Sequence, residues 1–128
     1  MTCLPRVIHL VDDTTAGGVM RVIDHILTSP DLAAQANHSL VHLPRGKISA
    51  RVYKADLIVS HLSISWRNLP MLIAARAANA STPLVHIEHS YTENFTSSVI
   101  LISRSYIDKH IFYSYTHIRN EMMIQAYH

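Results

Sequence analysis

The apolar positions of this chain alternate between two periods. Residues 6–11, Arg-Val-Ile-His-Leu-Val, form a short, nearly continuous run rich in β-branched side chains, the pattern of a strand covered on both faces. A polar turn follows from Asp12 to Gly18. Val19, Val22, Ile23, Ile26 and Leu27 then recur at the three- and four-residue spacing of an amphipathic helix, which Ser29-Pro30 is placed to end. Further strands are predicted over 39–43 (Ser-Leu-Val-His-Leu), 56–60 (Asp-Leu-Ile-Val-Ser) and 83–88 (Pro-Leu-Val-His-Ile-Glu). A short helix is expected over 48–54. A longer one is expected over 68–78, with Leu69, Leu72, Ile73 and Ala77 on its inner face and Pro70 in its first turn, where the missing N–H has no helical acceptor to lose. Trp66 is expected to pack beneath that second helix, with Arg67 bordering the adjacent cleft.

Strands alternating with helices predict an α/β fold, a Rossmann-like parallel sheet flanked by helices. Right-handed crossovers then place the C-terminal ends of the strands on one edge, where open sheets of this kind bind ligands. Residues 1–95 read as this domain. Residues 96–128 differ: they hold six Ile and four Tyr but one Leu and one Ala, whereas residues 1–95 hold eleven Leu and eleven Ala. The spacing of Ile107, Ile111, Tyr115 and Ile118 suggests a helix in this tail, and the change in composition fits an altered, non-native continuation.

Composition narrows the function classes. The chain has 128 residues, a formal charge of +2 and no dense Lys/Arg run, which argues against nucleic acid and leaves room only for a weak attraction to anionic ligands or a membrane surface. The single cysteine, Cys3, excludes a disulfide framework and fits a cytoplasmic setting, as does the absence of a signal-peptide pattern. No window reaches the ~20 apolar residues that a membrane span requires.

The strongest chemical signal is Val11-Asp-Asp-Thr-Thr-Ala-Gly-Gly-Val-Met-Arg21, where a strand ends, two glycines turn and a helix begins. Free N–H groups and the positive end of the helix dipole favour an anion at such a point. Gly17 and Gly18 let a ligand approach the backbone, and Arg21 stands one turn into the helix. The pattern is neither GxGxxG nor a Walker loop, so a plain strand-to-helix connector is an equal reading on local grounds. His61 and His89 follow directly on the third and fourth strands, and histidine at a ligand edge can share a proton or bind a hydroxyl. His86-Ile-Glu-His89 does not suit a metal, because on a strand His86 and Glu88 share a face and His89 points away. His9 and His42 read as core or edge histidines, and Ser90 lacks the context of a nucleophile elbow.

Taken in order, Val7-Ile-His-Leu-Val-Asp12, Gly17-Gly-Val-Met-Arg21, Ala55-Asp-Leu-Ile-Val-Ser-His61 and Pro83-Leu-Val-His-Ile-Glu-His-Ser90 resemble the N-terminal domain of a family 4 glycosyltransferase of the GT-B fold. The resemblance covers residues 5–95. It implies retaining transfer of a sugar from a nucleotide-sugar donor to a carbohydrate or lipid-linked acceptor, with no metal and no cofactor beyond the donor itself. It places Gly17 and Gly18 near the donor diphosphate and Arg21 at the family's arginine position beside them. It makes His61 and His89 the catalytic candidates bordering the sugar-transfer cleft. It also implies a second Rossmann-like domain or chain that holds most of the donor and carries the E-x7-E glutamates. The expectation is therefore half of a GT-B architecture, inactive without that partner. The competing expectation is a non-catalytic α/β module that uses the same glycine turn to bind a small anion or a protein.

Overall fold

Five successive buried residues, Val7 to Val11, put the first strand, β1 (Arg6–Val11), inside a sheet with both faces covered. The computed structural model describes residues 3–14, 17–88, 98–114 and 123–127. After β1 come α1 (Gly18–Thr28), α2 (Pro30–Ala33), β2 (Asn37–His42), β3 (Leu57–Ser60), α3 (Leu69–Ala78), β4 (Leu84–Glu88), α4 (Ser98–Arg104), β5 (Lys109–Ser114) and β6 (Met123–Tyr127). The sheet order is β2-β1-β3-β4-β5-β6. β1 to β5 are parallel and β6 runs antiparallel to β5. The expected α/β class is thus the observed one.

Chain direction reverses its advance at β1, with β2 on one side and β3 on the other. With right-handed crossovers, that reversal puts α1 and α3 on opposite faces of the sheet. The face toward α3 is the main core: Ile8, Leu10, Ile58 and Leu84 pack with Met71, Leu72 and Ala75. The face toward α1 carries Val7, His9, Val11 and Val59, and Ile23 of α1 is fully buried. α1 ends at Ser29, whose extended backbone leaves the helix and whose Oγ accepts from the Leu32 N–H to cap α2.

Three local expectations need correcting. No helix forms over 48–54. Its backbone is held by Asn79 instead: Oδ1 accepts from the Tyr53 N–H at 2.8 Å, and Nδ2 donates to the Arg51 carbonyl at 3.0 Å. With these groups satisfied from outside, an i→i−4 ladder has nothing to add. Asn79 is 5% exposed, and its Nδ2 also donates to the Ala75 carbonyl. Asn79→Ala should therefore cost about 2 kcal/mol in urea unfolding and raise amide exchange at Tyr53, because the Tyr53 N–H loses this acceptor and the Arg51 carbonyl this donor.

The second correction concerns the tail. The stretch from Lys109 to Ser114 is a strand, not a helix, and residues 115–118 lie outside the described ones. Asp108 explains it. Its Oδ2 accepts from the Leu84 N–H at 2.7 Å and from Arg76 Nη1 at 2.9 Å, and its own N–H donates to the Leu84 carbonyl. This clasp aligns β5 with β4, Val85 opposite Lys109, and Ile107 enters the main core. The sheet thus runs on past the change in composition at residue 95.

The third is Trp66, which is 59% exposed rather than packed beneath α3. In the turn ahead of that helix the inward residues are Asn68 and Leu69. The crossover from β2 to β3 carries no helix, so the sheet face beside β1 and β2 is open. A groove of about 660 Å³ lies there, lined among others by Arg6, Arg51, Tyr53 and Lys54. Among the described residues, no helix is long and apolar enough to cross a membrane.

Candidate functional site

The reversal of direction at β1 leaves a crevice between the loops that follow β1 and β3. A cleft of about 240 Å³ occupies it, lined by Asp12, Asp13, Gly17, Gly18, Val19, Arg45, His61 and Ser63. The larger groove beside β2 is not at this edge and carries none of these residues, so topology favours the smaller one.

One wall is the start of α1. Its first intrahelical bond is from the Arg21 N–H to the Gly17 carbonyl at 3.0 Å, so the N–H groups of Gly18, Val19 and Met20 precede the ladder. Among the described residues, no side chain caps this end, and no acid stands in the first turn. Gly17 has an extended backbone that any residue can adopt. At Gly18, a Cβ would meet nothing within 4 Å. Neither conformation nor packing calls for glycine at 18; its effect is to keep space beside the N–H groups.

The floor is Asp12, directly after the buried strand. Its side chain is 4% exposed, and its Oδ2 accepts from Asn68 Nδ2 at 2.8 Å, Arg45 Nε at 3.1 Å and the Ser63 N–H at 3.4 Å. This carboxylate ties the loops after β1, β2 and β3 together. Arg45 Nη2 also donates to Asp13 at 3.4 Å. Asn68 Oδ1 is buried without a partner among the described residues. Gly46, beside Arg45, has a positive φ of 77°, and its N–H points to Met71 Sδ at 3.1 Å. A left-handed glycine is what turns the chain tightly enough to bring Arg45 back over Asp12.

The third wall is His61, 3% exposed. Its Nε2 lies 2.9 Å from His9 Nδ1, and His9 Nε2 lies 2.9 Å from His38 Nδ1. The rings of His9 and His38 stack, with centroids 5.2 Å apart. Burial, and then the nearby His38, push the His9 imidazole down to about 4 from 6.5.

The structure therefore brings Gly17, Gly18 and His61 together. Arg21 is exposed and is not among the residues lining the cleft, and His89 lies outside the described residues. Sequence reasoning missed Asp12, Asp13, Arg45 and Ser63 as site residues. Two aspartates directly after a buried strand were the available signal for the first pair.

A second buried polar group lies on the opposite face. Ser60 Oγ is 3.0 Å from His86 Nδ1, and His86 Nε2 is 3.4 Å from Glu88 Oε2, so His86 and Glu88 do share a face. Ser60 is fully buried, and the cavity beside it measures about 10 Å³, the space of one water. That Ser-His-Glu series offers no substrate access. Among the described residues, no three His, Cys, Asp or Glu side chains are grouped to hold a metal ion. Comparison with protein-family models, with curated proteins and with solved structures finds no match to this chain.

Proposed function

We propose that this chain is the acceptor-side α/β domain of a sugar-transfer enzyme that uses a nucleotide-sugar donor. The observation that carries the reading is the uncapped start of α1 opening on the same cleft as His61 and Asp13, at the reversal point of the sheet. N–H groups and the helix dipole suit a phosphate. Asp13, Ser63 and His61 supply the mixed acceptors and donors that sugar hydroxyls require. Asp12 is spent on holding the loops, and Arg45 offsets much of its charge, so the carboxylates do not repel an anion outright. The ordered motifs that resemble family 4 glycosyltransferases point the same way.

The size of the cleft sets what it can hold. A cleft of about 240 Å³ is below the ~300–1,000 Å³ that encloses a whole drug-sized ligand. It fits one part of a sugar nucleotide, with the remainder held by a second α/β unit. In this reading His61 acts at the sugar end and Gly18 at the phosphate end.

Gly18→Ala separates this from a plain connector. Alanine at the first helical position should stabilise the fold by about 0.4–1 kcal/mol, since it restricts the unfolded chain. The same methyl group should weaken binding of UDP-glucose measured by calorimetry or amide shifts. A variant that is more stable and binds as well as the parent would remove the phosphate role from this turn. Transfer of sugar only when a donor-binding domain is added would support the enzyme over the non-catalytic module.

A further inference from the structure

His38, His9 and His61 lie in line across the sheet face beneath α1, one ring each from β2, β1 and the residue after β3. Their nitrogens meet pairwise rather than at a common point, so the arrangement is a chain and not a metal cage. One end, His61, lines the cleft; the other, His38, is half-buried and lines a separate pocket of about 170 Å³ with Ile26, Leu27, Ala33, Ala36 and Asn37. We propose that these three histidines form a proton relay that carries a proton between the His38 pocket and the cleft. It stands whether or not the cleft takes a sugar nucleotide.

Each 2.9 Å N···N contact holds one hydrogen. A neutral imidazole has one N–H and one bare nitrogen. A neutral His9 therefore donates to one neighbour and accepts from the other, so all three rings carry hydrogen on Nδ1 or all three carry it on Nε2. In the first arrangement a proton can arrive at His38 Nε2. The hydrogen on His38 Nδ1 then passes to His9 Nε2, the one on His9 Nδ1 passes to His61 Nε2, and the one on His61 Nδ1 leaves. One proton has entered and one has left, and every ring has changed tautomer. Passage in reverse resets the chain, which suits a site that takes up a proton and later returns it.

The surroundings keep the charge moving. Apart from His38 itself, the described residues lining that pocket carry no ionisable side chain. On the covering helix Arg21, Asp24 and His25 are all exposed, as is Asp31 of α2. His42, on the exposed β2 edge, has its Nε2 3.4 Å from the Asp12 carbonyl. Charge gathers at the cleft end, in Asp12, Asp13 and Arg45. The buried central ring, pushed down to about 4, holds an extra proton only in transit.

The test is long-range ¹H–¹⁵N NMR of the histidine rings of the full chain, without ligand. At pH 8 the neutral His38, His9 and His61 should show one common tautomer, or one common ratio. Different tautomers at His38 and His61 would overturn the relay, since either two donors or two acceptors would then face a neutral His9. In folded His9→Phe the link is cut, so the tautomer ratios of His38 and His61 should become independent of each other; a shared ratio that persists would also overturn the relay. If His9→Phe does not fold, the tautomer pattern of the wild-type chain decides alone. None of these readouts involves a sugar nucleotide, so failure of the function proposed above would leave them intact.

Discussion

Removal of the Asp12 carboxylate should cost about 2–3 kcal/mol of stability, one of the largest losses from any single substitution at this edge. Asp12 is a buried acceptor serving three loops at once, through Asn68, Arg45 and Ser63. In Asp12→Ala, Arg45 can turn to solvent, since its side chain is 49% exposed, and that part of the loss is small. Asn68 has no such escape. It is 3% exposed and its Oδ1 already lacks a partner among the described residues; its Nδ2 keeps the Ser63 carbonyl at 2.9 Å, but the second N–H loses its acceptor and adds to the penalty. For a chain of this size the change corresponds to a fall in Tm of roughly 10 °C. Asp12→Asn keeps the shape and one acceptor oxygen and should lose about half as much. Asp13→Ala, at a half-exposed side chain, should stay within about 0.5 kcal/mol. Urea midpoints for the three variants check the ranking; equal effects at 12 and 13 would show that Asp12 does not hold the loops together.

Acid should unfold the chain earlier than its carboxylates alone require. The His9 pKa is depressed in the folded chain, from 6.5 to about 4, by burial first and by His38 second. The unfolded chain therefore binds this proton more tightly. The stabilisation from a neutral His9 is complete above pH 6.5, declines as pH falls from 6.5 toward 4, and is gone below 4. The amount is about 3 kcal/mol, a sizeable share of the ~5–15 kcal/mol that holds a typical domain together. Urea midpoints measured between pH 7.5 and 4.5 should fall steeply in that window, and His9→Leu should flatten the fall. A wild-type curve that stays level to pH 4.5 would mean that His9 is not buried as a neutral ring.

What could be read from the chain, and what could not, divides by sequence distance. β1 and α1 were visible because their signals are local: a β-branched run, then apolar residues at helical spacing, then Ser29-Pro30. The glycine turn and His61 were legible as strand-end positions. The rest of the site depends on register. Asp12 meets Asn68 across 56 residues and Arg45 across 33, and His9 meets His61 across 52. No periodicity encodes such pairings; they follow only once β1 is set between β2 and β3. The misreadings have the same origin. The 48–54 segment and the 109–114 strand take their conformation from Asn79 and Asp108, which satisfy backbone groups from a distance. Trp66 is exposed because Asn68, not the indole, turns inward to reach Asp12.

The claim on which the functional reading depends is that the cleft at the start of α1 receives the phosphate end of a sugar nucleotide. Titrating the ¹⁵N-labelled chain with UDP-glucose, and with glucose as a control, tests it directly. The amides of Gly18 and Val19 and the ring of His61 should shift saturably with UDP-glucose, and those amides should not shift with glucose. Shifts confined to the groove at Arg6, Arg51 and Lys54, or none at millimolar ligand, would contradict it.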